Sequence, residues 1–115
     1  MLNQRQAVNA YAASASHRSL RDQEAEVFRR TNAVLRRARE KGGISRVRAL
    51  ADNQLLWTTL TNLLLDPDNA LPAELRASII SVGLTVQREM ATADPDFDFL
   101  LQINENIAAG LSGAG

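Results

Sequence analysis

The sequence has no cysteine. That excludes a disulfide framework, a thiol nucleophile, a cysteine-held zinc and an iron–sulfur cluster. Histidine is almost as scarce. His17 stands alone, so no multi-histidine metal site fits within one chain. Aromatic residues make up 4% of the chain, leaving few rings to stack on nucleic-acid bases. No long apolar run exists either. The longest uncharged stretch, Asn53–Leu65, is interrupted by polar residues, whereas a membrane span needs about 20 mainly apolar ones. The first residues, MLNQRQAVNAYAASASH, lack a signal-peptide core. The expectation is a soluble, cytoplasmic binding or scaffolding protein. No catalytic site, cofactor, metal, membrane partner or small-molecule substrate is expected.

What is present is an average globular composition. The 115 residues are 45% hydrophobic and 23% charged, enough for one core-bearing domain. No repeat, low-complexity segment or linker divides the chain. Residues 1–115 therefore read as a single domain, with a flexible tail at 112–115 and a frayed N-terminal segment. Net charge is zero, yet the signs are segregated. Residues 1–48 hold eleven basic residues against four acids, a net +7, and residues 49–115 hold two against nine, a net −7. Such a split marks either a polyanion-binding half or two halves that attract one another in the fold. The second fits better, because nothing else in the basic half resembles nucleic-acid readout.

Apolar spacing is helical almost throughout, and no segment alternates like a strand. The class expected is all-α, a small bundle of four to five helices. A short Ala-rich helix spans Leu2–Ala13, and Ser14, Ser16 and Ser19 suit a break. Ser19 is placed to cap a helix over Leu20–Lys41, with Val27, Phe28, Thr31, Val34, Leu35 and Ala38 on its buried face. Gly42-Gly43 ends it. The next helix starts near Ser45 and runs to Leu65, with a stripe of Leu50, Trp57, Leu60 and Leu64. Leu55 and Leu65 widen the apolar surface, which predicts a central position for this helix. After the turn Asp66–Asn69, Pro72 opens a helix with Leu75, Ile79, Val82, Val86 and Met90 on one face. Ile80 and Leu84 lie on a second face. Asp94-Pro95 starts the last helix, whose inner face is Phe97, Leu100, Leu101, Asn104, Ile107, Ala108 and Leu111.

The chemical constellations are weak. Asp94, Asp96, Asp98 and Glu105 fit positions of a calcium loop, but Phe99 stands where that loop needs glycine. They read better as acids in the first turn of a helix. His17 beside Ser16 has no third group to make it a base. Asp66 and Asp68 belong to a turn. Arg29, Arg30, Arg36 and Arg37 form a positive face able to meet phosphate. Glu26–Arg30 and Arg36–Glu40 have the spacing of ion pairs on that face, which favours a solvated surface. Asn53 and Asn104 interrupt apolar stripes and read as structural polar residues. A buried amide must find partners or cost about 1–3 kcal/mol. Trp57 reads as a core anchor, or as an interface anchor if it is partly exposed.

Three segments carry a specific pattern. Asn53–Leu60 reads NQLLWTTL, Asn69–Ser81 reads NALPAELRASIIS, and Ile103–Leu111 reads INENIAAGL. In this order and spacing they resemble the FlaF family, flagellar biosynthesis regulators of certain flagellated Gram-negative bacteria. The likeness runs from about Tyr11 to Leu111. It implies a small helical protein required for flagellin production and filament assembly. It also implies work beside FlbT, which represses flagellin translation by acting on its mRNA, and direct binding of flagellin as a cytoplasmic export chaperone.

Two mechanisms then compete. In the first, the chain covers an amphipathic flagellin helix by the helix-in-groove mode. Ile80 and Leu84, with Leu71, Leu75 and Trp57, would supply the groove, and Arg76 would meet a carboxylate at its rim. In the second, the chain regulates flagellin translation, touching RNA through Arg29, Arg30, Arg36 and Arg37 or acting through FlbT. The first suits zero net charge and scarce aromatics better. A structural protein that self-associates through Ile80 and Leu84 is a further reading. No constellation supports an enzyme.

Overall fold

A computed structural model describes the backbone of residues 3–113 and the side chains of residues 3–4 and 22–112. Four helices follow one another: α1 (Gln4–Lys41), α2 (Gly43–Leu65), α3 (Ala73–Met90) and α4 (Phe97–Gly113). Successive helices run antiparallel. α1 packs against both α2 and α4, and α3 packs against α2. The 38 residues of α1 give about 57 Å of helix, which accounts for the 60 Å long axis of the molecule.

The expected break at Ala12–Ser19 is absent. Backbone helix continues from Gln4 through Ser19 to Lys41, so Ser19 lies in the helix interior and not at its start. The bundle therefore has four helices, and the separate fifth one is not formed. Serine in a helix interior costs only tenths of a kcal/mol, and a helix already nucleated downstream extends without a new nucleation penalty. His17 and Ser16 lie outside the residues whose side chains are described.

A single residue separates α1 from α2. Gly42 sits at φ 67° and ψ −165°, and Gly43 follows at φ 58°. The Gly42 pair of angles falls in a region essentially open to glycine alone. The Gly42 N–H still donates to the Ala38 carbonyl at 2.9 Å, closing the end of α1. α2 thus begins at Gly43, two residues before Ser45. Pro72 flanks α3 without being its first residue.

The cap of α4 is Asp96, two residues after the expected Asp94. Its carboxylate accepts the Phe99 N–H at 3.2 Å, and its carbonyl accepts the Leu100 N–H at 3.1 Å. Asp94 instead pairs with Arg46 of α2 at 3.0 Å, while the Arg46 guanidinium lies 4.4 Å from the Phe97 ring centroid. The acids that matched a calcium loop are thus occupied in capping and pairing: Asp98 meets Arg39, and Glu105 meets Arg36. The Asp66–Asn69 turn closes through its own side chains. Asp66 accepts the Asp68 N–H, and Asn69 accepts the Leu71 N–H, both at 2.9 Å. α4 continues through Gly110 to Gly113, and Ser112 accepts a hydrogen bond from Arg29 at 2.8 Å. The expected loose tail therefore does not begin at 112.

The core centres on Trp57, which is wholly buried. Phe28 meets it edge to face, centroids 5.7 Å apart. Leu35, Leu60, Val86, Leu100 and Leu111 belong to the same buried cluster. Gly83 of α3 passes directly over the indole. A Cβ built there would lie 3.2 Å from Trp57 Cε3, so glycine sets how closely α3 approaches α2. Asn32, which the apolar pattern passed over, is buried too, and donates to the Leu101 carbonyl at 3.2 Å.

A directed hydrogen-bond chain crosses this core. The Trp57 indole N–H donates to Asn104 Oδ1 at 2.9 Å. Asn104 Nδ2 donates to Asn53 Oδ1 at 2.7 Å, and Asn53 Nδ2 donates to Met90 Sδ at 3.2 Å. An indole nitrogen can only donate, so it dictates the orientation of the Asn104 amide. That amide dictates Asn53 in turn. Three helices are thereby held in one register by side chains with no spare freedom.

Candidate functional site

The helical stripes do not cover all their apolar neighbours. Val27 of α1, expected inside, is 46% exposed. Leu55 and Leu65 of α2 are 66% and 63% exposed, so the wide apolar surface that predicted a central position for α2 is covered only in part. Leu63 is half exposed as well, and Val34 and Leu56 are half buried. The reason is topological. α4 packs on α1 and α3 on α2, and those contacts leave these side chains exposed.

These residues line a groove between the antiparallel α1 and α2. Val27, Thr31 and Val34 form one wall, and Leu55, Leu56 and Thr59 the other, enclosing about 390 Å³. Arg30 and Asp52 stand on opposite walls. An adjoining apolar hollow of 110 Å³ continues to Glu24 and Leu63. From Val34 to Glu24 the groove follows α1 for about 15 Å, or three helical turns. That length and lining suit the i, i+4, i+7 anchors of an amphipathic helix.

The residues expected to form a groove on α3 do not share an exposed face. Trp57 and Leu71 are buried in the core. Leu75 and Ile80 are half buried and pack against it. Leu84 is 57% exposed. Arg76 is half buried, its Nε enclosed without a hydrogen-bond partner among the described residues. The groove built from Ile80, Leu84, Leu71, Leu75 and Trp57 is therefore corrected: its largest member points inward, and Leu84 stands largely alone.

Arg29, Arg30, Arg36 and Arg37 are all exposed on α1. Most of their charge is already met. Glu26 lies 3.7 Å from Arg29 and 3.6 Å from Arg30. Arg36 reaches across to Glu105 of α4, not along its own helix to Glu40, which pairs with Arg39 at 3.5 Å. A polar recess of about 170 Å³ lies between Arg29, Asn32, Arg36 and Glu105. Asn53 and Asn104 are fully buried members of the core chain described above.

Sequence reasoning missed the α1–α2 groove because each helix was read alone. Leu55 and Val27 carried the available signal, as apolar residues at the edges of their stripes. Among the described residues, no helix is long and apolar enough to cross a membrane, and no group of three potential ligands could hold a metal. Comparison with known families matches residues 7–111 to the family described as flagellar protein FlaF. Comparison with curated proteins and with solved structures finds no match.

Proposed function

The chain belongs to the FlaF family of flagellar proteins, and from that premise we propose that it binds flagellin in the cytoplasm as a secretion chaperone. In this reading it is a binding protein, not an enzyme, and it promotes flagellin synthesis and filament assembly. The observation that carries the reading is the open apolar groove between α1 and α2. Flagellin termini form amphipathic helices on assembly and need cover before it. A shallow groove three turns long, walled by aliphatic residues and flanked by Arg30 and Asp52, offers such cover reversibly. Relief of FlbT-dependent repression would follow if flagellin capture reports supply to translation.

Direct contact with flagellin mRNA is the alternative reading. It has less support, since Glu26 and Glu105 already meet three of the four arginines and no described exposed aromatic side chain adjoins them.

Calorimetric titration with monomeric flagellin, run in parallel with the flagellin mRNA leader, tests the proposal. Saturable flagellin binding is expected, with no RNA signal. Val27→Asp and Leu63→Asp should weaken it at least about tenfold, with helical content unchanged, since each places a charge in a desolvated contact. Leu84→Asp should leave it intact. Loss through Leu84→Asp alone would move the site to α3, and RNA binding without flagellin binding would overturn the reading.

A further inference from the structure

α2 has a second exposed surface, opposite its core side and adjoining the groove, with which it shares Leu55. Val47, Ala51, Leu55, Thr58, Asn62 and Leu65 recur there at helical spacing, and all are exposed. Val47 is 66% exposed, Leu55 66% and Leu65 63%. Between Asp52 and Asp66 α2 bears no charge. The charges at its ends are of opposite sign: Arg48 at the start, Asp66 and Asp68 just past the finish. This is the reverse of what the dipole of the helix favours, and α2 has no acid in its first turn and no base in its last.

We propose that this ridge is a self-association surface, on which α2 of a second copy packs antiparallel about a two-fold axis. An isologous contact needs a patch complementary to itself. Antiparallel pairing supplies that here, because it lays the basic end of each α2 against the acidic end of the other. One register satisfies all the positions together. With the axis between Leu55 and Thr58, Ala51 faces Asn62 of the second copy and Leu55 faces Thr58. On one flank Val47 meets Leu65, and on the other Arg48 meets Asp66. A parallel pair would instead set Arg48 against Arg48. The ridge is about 30 Å long and one helix wide, which is small beside a standard stable interface. The dimer is therefore weak and reversible. It goes beyond the flagellin reading and does not depend on it.

The absence of cysteine makes the test direct. Val47→Cys and Leu65→Cys chains, each full length, are mixed and oxidised. A disulfide-linked dimer is expected in the mixture and not from either variant alone. Sedimentation equilibrium of the unmodified chain should show concentration-dependent dimerisation. Arg48→Glu should weaken it about tenfold, because two symmetry-related pairs become repulsive, and Arg48→Glu with Asp66→Arg should restore it. Circular dichroism checks that every variant keeps its helices. Cross-linking of Val47→Cys with itself, a strictly monomeric chain, or failure of the charge swap to restore association would each overturn the proposal. None of these readouts involves flagellin, so failure here and failure of the groove reading are separable.

Discussion

At the residue scale, the decisive feature is the chain from Trp57 through Asn104 and Asn53 to Met90. All but the sulfur end consists of wholly buried polar groups. Net hydrogen-bond energies are modest, but an orphaned buried group costs about 1–3 kcal/mol. Asn104→Leu leaves both the indole N–H and Asn53 Oδ1 without partners. Asn53→Leu leaves Asn104 Nδ2 and Met90 Sδ without theirs. Each single change should therefore lower stability by about 2 kcal/mol or more. The double change orphans the indole N–H and Met90 Sδ, the latter only a weak acceptor, and should cost clearly less than the sum. Urea denaturation of the four chains, with slopes compared as well as midpoints, measures this coupling. Strict additivity would mean that the three side chains do not act as a unit. The two asparagines were legible as polar interruptions of apolar stripes. Their partners were not, because a wheel drawn for one helix cannot say which polar atom of another helix arrives opposite.

At the element scale, the inner face of α4 and most of the α2 and α3 stripes were legible, because burial follows helical periodicity wherever a neighbour covers the stripe. Boundaries were less so. Asp94 and Asp96 are both acids beside Pro95, and only the backbone path decides that Asp96 caps α4 and Asp94 is left to pair with Arg46. The serines before Leu20 looked like a break, yet α1 runs through them. The true discontinuity is Gly42, where one residue reverses the chain. Its φ of 67° with ψ of −165° admits no side chain without strain. Space is not the obstacle, since a Cβ there would meet nothing within 4 Å. Gly42→Ala should thus isolate the conformational penalty, lowering stability by about 1–3 kcal/mol. Thermal unfolding by circular dichroism reads this directly. An unchanged midpoint would mean that the hairpin tolerates another turn, and that α1 and α2 are aligned by their packing alone.

At the scale of the whole molecule, the segregated charge finds its use. The basic half of the sequence forms α1 and the start of α2, and the acidic half supplies α4 and the connection before it. Arg36–Glu105, Arg39–Asp98 and Arg46–Asp94 all cross between those halves. Arg36 and Glu105 remain about half exposed, at 51% and 47% of their side chains. Solvent therefore limits the pair to about 0.2–1 kcal/mol, and salt weakens it further. Its greater effect is on orientation. α4 packed parallel to α1 would carry Glu105 and Asp98 away from Arg36 and Arg39, so the pairs favour the observed antiparallel seating. Arg36→Glu and Glu105→Arg should each destabilise the fold slightly at low ionic strength, and the exchanged pair should recover most of the loss. Denaturation at low and high salt tests both points, since a Coulombic effect must shrink as salt is added. If the single reversals were silent at low salt, apolar packing alone would set the α1–α4 orientation. The arginines of α1 would then be available to an outside anion, and the RNA reading would gain what this pairing now takes from it.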